Sequence, residues 1–110
     1  LSKHTPAAER RYMGYVAARG CCVCKRIGYD VDGMQAIVHH AIHNRFGWGK
    51  ASNYRTIPLC HTHHADPHQG VHGLNAEAFE AMYGFTEQEL IEETQRALAD
   101  HVPENERVYQ

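Results

Sequence analysis

A chain of 110 residues and 12.5 kDa has room for one small domain, and at that size a single apolar core stabilises a fold only narrowly. With 43% hydrophobic and 22% charged residues, and no apolar run near the ~20 residues of a membrane span, a membrane protein and a disordered tail are both excluded. The net charge of −2 hides a division: residues 1–55 carry nine Lys and Arg against three Asp and Glu, residues 56–110 two against ten. The first half could face a polyanion and the second could not, unless both blocks merely solvate helix surfaces. Ten histidines beside four cysteines exceed ordinary usage and point to metal.

In chain order, Thr5 with Pro6 reads as an N-cap followed by proline at the first helical position, opening a helix from Ala7 to Arg19 that Gly20 stops. Its exposed side should carry Arg10, Arg11 and Arg19, and Tyr12, Tyr15 and Val16 should face the core. Cys21, Cys22 and Cys24 follow, then Lys25 and Arg26 in a turn region that Gly28 and Gly33 punctuate. Met34 to Ile42 and Arg55 to Leu59 read as two strands, a β-hairpin with a long exposed connection. His64 and His68 share the i, i+4 spacing of one helical face. Asn75 can cap a helix from Ala76 to Tyr83 that Gly84 ends, and Thr86 to Glu89 form a capping box for a last helix reaching about His101. The expected architecture is a small α+β domain over residues 1–110: a core at about 20–70, an N-terminal helix at about 6–19 and C-terminal helices at about 75–102.

The strongest chemical signal is Cys21-x2-Cys24 followed, after 35 intervening residues, by Cys60-x2-His63. Two paired knuckles supply the four soft ligands of a closed tetrahedral zinc site, whose binding energy would add to folding energy. Buried thiols in a small core are the plainer alternative, but they leave the repeated spacing and His63 unexplained. Cys22 could replace Cys21, although C-x-C is a less usual knuckle. With no n-region, apolar stretch and cleavage site ahead of them, the cysteines are expected in a reducing, cytoplasmic setting. Setting the zinc ligands aside, His39, His40, His43, His61, His64, His68 and His72 still crowd 34 residues, which calls for a second, open metal site. Neighbouring strand residues point to opposite sides, so His39 and His40 should divide into a ligand and a free base.

The order Cys21-Cys22-Val23-Cys24, Val38-His39-His40, Asn53, then Ile57-Pro58-Leu59-Cys60-His61-Thr62-His63-His64 resembles the HNH endonucleases of the ββα-metal fold. Residues 5–68 look most like the phage recombination-enhancement, Ref-type nucleases, which cut DNA where RecA is bound. The resemblance implies a zinc-stabilised ββα-metal domain with flanking helices, acting as a metal-dependent DNA endonuclease in a bacterial host. It implies His40 as general base and His39, His64 and His68 as ligands of a catalytic divalent ion: Mg2+, Mn2+, Ni2+ or Zn2+. Asn53 is the candidate for the middle residue that steadies the base. It lies seven residues before Cys60, whereas many HNH proteins carry asparagine five before, where this chain has Arg55. DNA and a RecA filament are the implied partners. The family's N-terminal extension is basic, and the leading Leu1 suggests that this chain is a fragment without it.

Chemistry runs in the same direction. Phosphodiester hydrolysis needs a deprotonated water, charge stabilisation on the phosphoryl oxygens and a neutralised leaving group. Arg10, Arg11, Lys25, Arg26, Arg45, Lys50 and Arg55 could neutralise phosphates, and Phe46 or Trp48 could stack on a base. The competing reading is a zinc-stabilised nucleic-acid-binding module without catalysis.

Overall fold

The computed structural model describes residues 5–43 and 51–109. Helix α1 spans Ala7–Ala18 and α2 spans Cys22–Arg26; strands β1 (Ile37–His40) and β2 (Thr56–Leu59) follow, then α3 (His61–Ala65), α4 (Ala76–Tyr83) and α5 (Glu87–Ala97), with 3-10 turns at Ala99–His101 and Glu104–Glu106. The described residues form a small α+β fold around a two-stranded sheet. Among the described residues no helix is long and apolar enough to cross a membrane.

The strands pair antiparallel, with Ile37 opposite Leu59, Val38 opposite Pro58, His39 opposite Ile57 and His40 opposite Thr56. Because side chains alternate along a strand and cross-strand partners share a face, this register sorts the site residues. One face presents His39, Ile57 and Leu59 to a core that includes Val23, Val71, Phe79, Leu90 and Ile91. The other presents Val38 and His40 towards α1, where Tyr12, Val16, Tyr54 and Val102 form a second cluster. The two adjacent histidines therefore belong to different sides of the sheet.

Several elements are shorter or start differently from the sequence reading. Pro6, not Thr5, is the N-cap of α1, and it makes no side-chain cap bond. Tyr15 is 42% exposed and packs on the His101 ring instead of entering the core. The paired part of the first strand is only Ile37–His40. The last helix gives way to a 3-10 turn after Ala97. The caps of α4 and α5 form as expected: Asn75 Oδ1 accepts from the Ala78 N–H at 2.8 Å, and Thr86 Oγ1 accepts from that of Glu89 at 3.1 Å. Gly84 closes α4 at φ 82°, a left-handed conformation that favours glycine.

Candidate metal centre and general base

Cys21 caps α2 and Cys60 caps α3, each thiol accepting a backbone N–H three residues on, from Cys24 and His63. Each knuckle thus folds about its own first ligand, and the pair brings Cys21, Cys24, Cys60 and His63 together with every donor atom within 4.8 Å of the others. Cys24 and Cys60 Sγ lie 3.8 Å apart. His63 Nδ1 is 3.5, 3.4 and 3.3 Å from the sulfurs of Cys21, Cys24 and Cys60. A tetrahedron with Zn–S of about 2.3 Å and Zn–N of about 2.0–2.1 Å has S···S edges of about 3.8 Å and S···N edges of about 3.5 Å. The donor set therefore fits zinc in both chemistry and size. Burial lowers the His63 pKa, which favours the neutral imidazole a metal requires. Cys22 is not part of this group; it is buried in the core, where desolvation keeps it a thiol.

A second group consists of His39, His64 and His72, again with donor atoms within 4.8 Å. His64 Nε2 and His72 Nε2 are 3.1 Å apart. Burial, followed by the neighbouring histidines, lowers the pKa of His64 and of His72, so both rings are held neutral with lone pairs available. His39 is 2% exposed, and its Nε2 lies 2.8 Å from Oε2 of the equally buried Glu87. That hydrogen bond leaves Nδ1 as the ring nitrogen open to an ion, an arrangement that orients metal-binding histidines. Glu87 also accepts the backbone N–H groups of Ile42, at 3.1 Å, and His43, at 3.0 Å. Burial raises its pKa, but the bonds from His39 and the His43 and Ile42 amides outweigh that and hold the carboxyl below its ordinary value.

The expected ligand His68 is not in this group; His72 takes its place. Helix α3 ends at Ala65, and its C-cap Asp66 is extended at φ −63° and ψ 130°. Pro67 disfavours helical geometry at the residue before it, so the i, i+4 face from His64 never reaches His68. His68 is exposed, its backbone N–H donating to Asp66 Oδ1. The chain instead folds back along α3: the Val71 N–H donates to the His63 carbonyl and the His72 N–H to that of His64. Gly73 makes this return possible, since a Cβ there would sit 2.5 Å from Asp66 O and Pro67 backbone atoms. Asp66-Pro67 and the two glycines were the available sequence signals. Glu87 gave less, because its place in a capping box accounted for it. His43 is structural, its Nε2 lying 3.0 Å from both the Val71 and Leu74 carbonyls.

On the opposite side of the sheet, His40 Nε2 lies 2.8 Å from Asn53 Oδ1. His40 also lines a groove of about 300 Å³ with Arg10, Met13, Gly14, Ala17 and Val38. The structure brings the two expected members of the base pair into direct contact, despite the unusual spacing of Asn53.

The basic residues divide. Arg10, Arg11 and Lys25 are exposed. Arg26 is engaged with Glu93, at 2.7 Å. Arg55 is turned inward, donating to Gln88 Oε1 at 3.1 Å with its Nε buried, so it is not a free phosphate contact. Arg45, Lys50, Phe46 and Trp48 lie outside the described residues.

Fold and side chains together define a small α+β domain with a Cys3His cluster suited to a structural zinc and a separate three-histidine cluster. A family profile described as a protein of unknown function, DUF968, matches residues 2–100, and the chain belongs to that family. Searches of curated proteins and of solved structures give no match.

Proposed function

We propose that this chain is a metal-dependent DNA endonuclease of the HNH, ββα-metal type, hydrolysing phosphodiester bonds, with a RecA filament as the partner that directs it to DNA. The observation that carries the reading is the pairing of adjacent strand residues with different fates: His39 joins His64 and His72, while His40 stays outside that cluster, held by Asn53. A binding module needs no such division.

His40 presents Nε2 to Asn53, which leaves Nδ1 to accept a proton from a water attacking phosphorus. Asn53 restricts rotation of the ring, so the accepting nitrogen keeps one direction. His39 is steadied by Glu87 and, with His64 and His72, would hold a divalent ion. Such an ion would supply positive charge for a phosphoryl oxygen and the leaving 3′ oxygen. Imidazole donors suit Zn2+, Ni2+ and Mn2+ better than Mg2+. Arg10 stands on the rim of the groove that His40 lines and is placed to meet a neighbouring phosphate.

The test is cleavage of single-stranded, duplex and RecA-coated DNA with each of these metals, beside a His40→Ala variant. The variant should lose about 10²-fold or more in rate while keeping its DNA affinity and zinc content. Intact DNA under every condition, with normal binding, would favour a zinc-stabilised nucleic-acid-binding module instead.

A further inference from the structure

We propose that Glu9, in the first turn of α1, is a positioning residue that fixes the ring tautomer of His40 through the side-chain amide of Asn53. The inference rests on the reading of His40 as general base for its purpose, but not for its geometry. Asn53 Nδ2 donates to Glu9 Oε1 at 3.1 Å, and Asn53 Oδ1 faces His40 Nε2 at 2.8 Å.

An asparagine amide has two ends of similar size and opposite hydrogen-bonding sense, and in isolation nothing decides which end meets a neighbouring histidine. Here the far neighbour decides. A glutamate carboxylate at neutral pH only accepts, so it takes the NH2 end of Asn53. The carbonyl end is then left for His40, and a carbonyl oxygen also only accepts. His40 Nε2 must therefore carry the hydrogen, and Nδ1 must carry the lone pair. Each contact removes one choice, and the sequence of choices begins at Glu9. A carboxylate thereby sets the proton-accepting atom of His40 without touching it.

The three residues come from three separate segments. Glu9 is on α1, His40 on β1, and Asn53 in the turn before β2, where the Asn53 carbonyl also accepts from Thr56 Oγ1 at 3.0 Å. That last bond ties the Asn53 backbone to the strand, so reversing the amide requires only a side-chain rotation. Residue 9 is therefore free to control the amide while the backbone stays in place.

The experiment uses the full chain loaded with zinc and labelled with 15N in the histidine rings, with two-bond proton–nitrogen correlation spectra recorded above the imidazole titration range. Wild-type His40 should show the Nε2–H tautomer. In Glu9→Lys the ammonium donates to Asn53 Oδ1, the NH2 end turns to His40, and the ring should switch to Nδ1–H. Glu9→Gln can still accept from Asn53 and should retain more of the Nε2–H form than Glu9→Lys. The double variant Glu9→Lys with Asn53→Asp restores an acceptor opposite His40 and should return the Nε2–H form. It also gives the introduced ammonium a carboxylate partner should the single lysine variant fail to fold. Cleavage should fall at least tenfold in Glu9→Lys without any loss of DNA affinity, since the added cation can only favour a polyanion, and should recover in part in the double variant. An unchanged His40 tautomer in a folded Glu9→Lys protein, or an Nδ1–H form in wild type, overturns the proposal. If no variant, wild type included, cuts DNA, the nuclease reading fails while the tautomer spectra still decide the role of Glu9.

Discussion

A buried carboxylate is tolerated at Glu87 because both of its oxygens are occupied, by the His39 ring and the Ile42 and His43 amides. Removing it strands three donors inside the protein. Glu87→Ala should cost about 3–5 kcal/mol, the range for breaking a buried pair by deleting one partner, which denaturant unfolding would measure. Glu87→Gln keeps the shape and should cost less; a loss as large as that of Glu87→Ala would show that the carboxylate itself, and not its shape, carries the interaction. Tyr12 presents the reverse situation. Its hydroxyl is buried with no hydrogen-bond partner among the described residues, and burial pushes its pKa from 10.0 up to about 12. Between those two values the unfolded chain releases a proton that the folded chain retains. Stability should therefore fall as pH rises through that window, by about 2–3 kcal/mol in all. Tyr12→Phe should abolish this alkaline loss and raise stability at neutral pH by about 1–3 kcal/mol, since a buried hydroxyl without a partner carries its full desolvation cost. Tyrosinate absorbance against pH, alongside thermal melts, checks both parts.

The short helix α3 decides which histidines meet. Had it continued past Ala65, His68 would share the face of His64; Pro67 ends it, and the return loop delivers His72 instead. His72→Ala should weaken Ni2+ or Co2+ binding at the three-histidine cluster by about tenfold or more, whereas His68→Ala should leave it unchanged. Gly73→Ala should imitate the His72 variant by pushing the loop away from Asp66 and Pro67, without disturbing zinc in the Cys3His cluster. Titrations of zinc-loaded protein monitored by Co2+ absorbance would show the difference, and a normal cluster in Gly73→Ala would refute the packing argument. This is also where legibility from sequence changes. The Cys-x2-Cys and Cys-x2-His knuckles were readable because each is a local turn whose spacing alone brings its two ligands together. The caps Asn75 and Thr86 were readable for the same reason. His72 and Glu87 were not, because their roles arise from a fold-back and from a helix that docks 48 residues away from His39 in the chain. The exposure of Tyr15 was missed because the i, i+3 pattern marks a helix face without showing where its cover ends.

At the scale of the molecule, the described residues form one two-stranded sheet and two modest clusters of buried side chains, a small core, and the Cys3His cluster joins the segment after α1 to the segment after β2. Zinc binding there should therefore count as folding energy. A chelator strong enough to strip the site should lower the thermal midpoint and broaden the transition, and Cys24→Ala should lose zinc and stability together. Full retention of the melting curve after complete zinc removal would contradict this. Helix α5 completes the structure from the other end: Glu87 braces His39, Glu93 pairs with Arg26, and Gln95 donates to the Tyr54 and Glu106 carbonyls while accepting from the Val108 N–H. A ribosome delivers these parts in a fixed order. The last zinc ligand, His63, precedes Glu87 by 24 residues, or about 1–5 s of synthesis at about 5–20 residues per second. The nascent chain thus has both knuckles in hand before the carboxylate that steadies His39 exists, so the Cys3His cluster has time to close before the three-histidine cluster gains its brace.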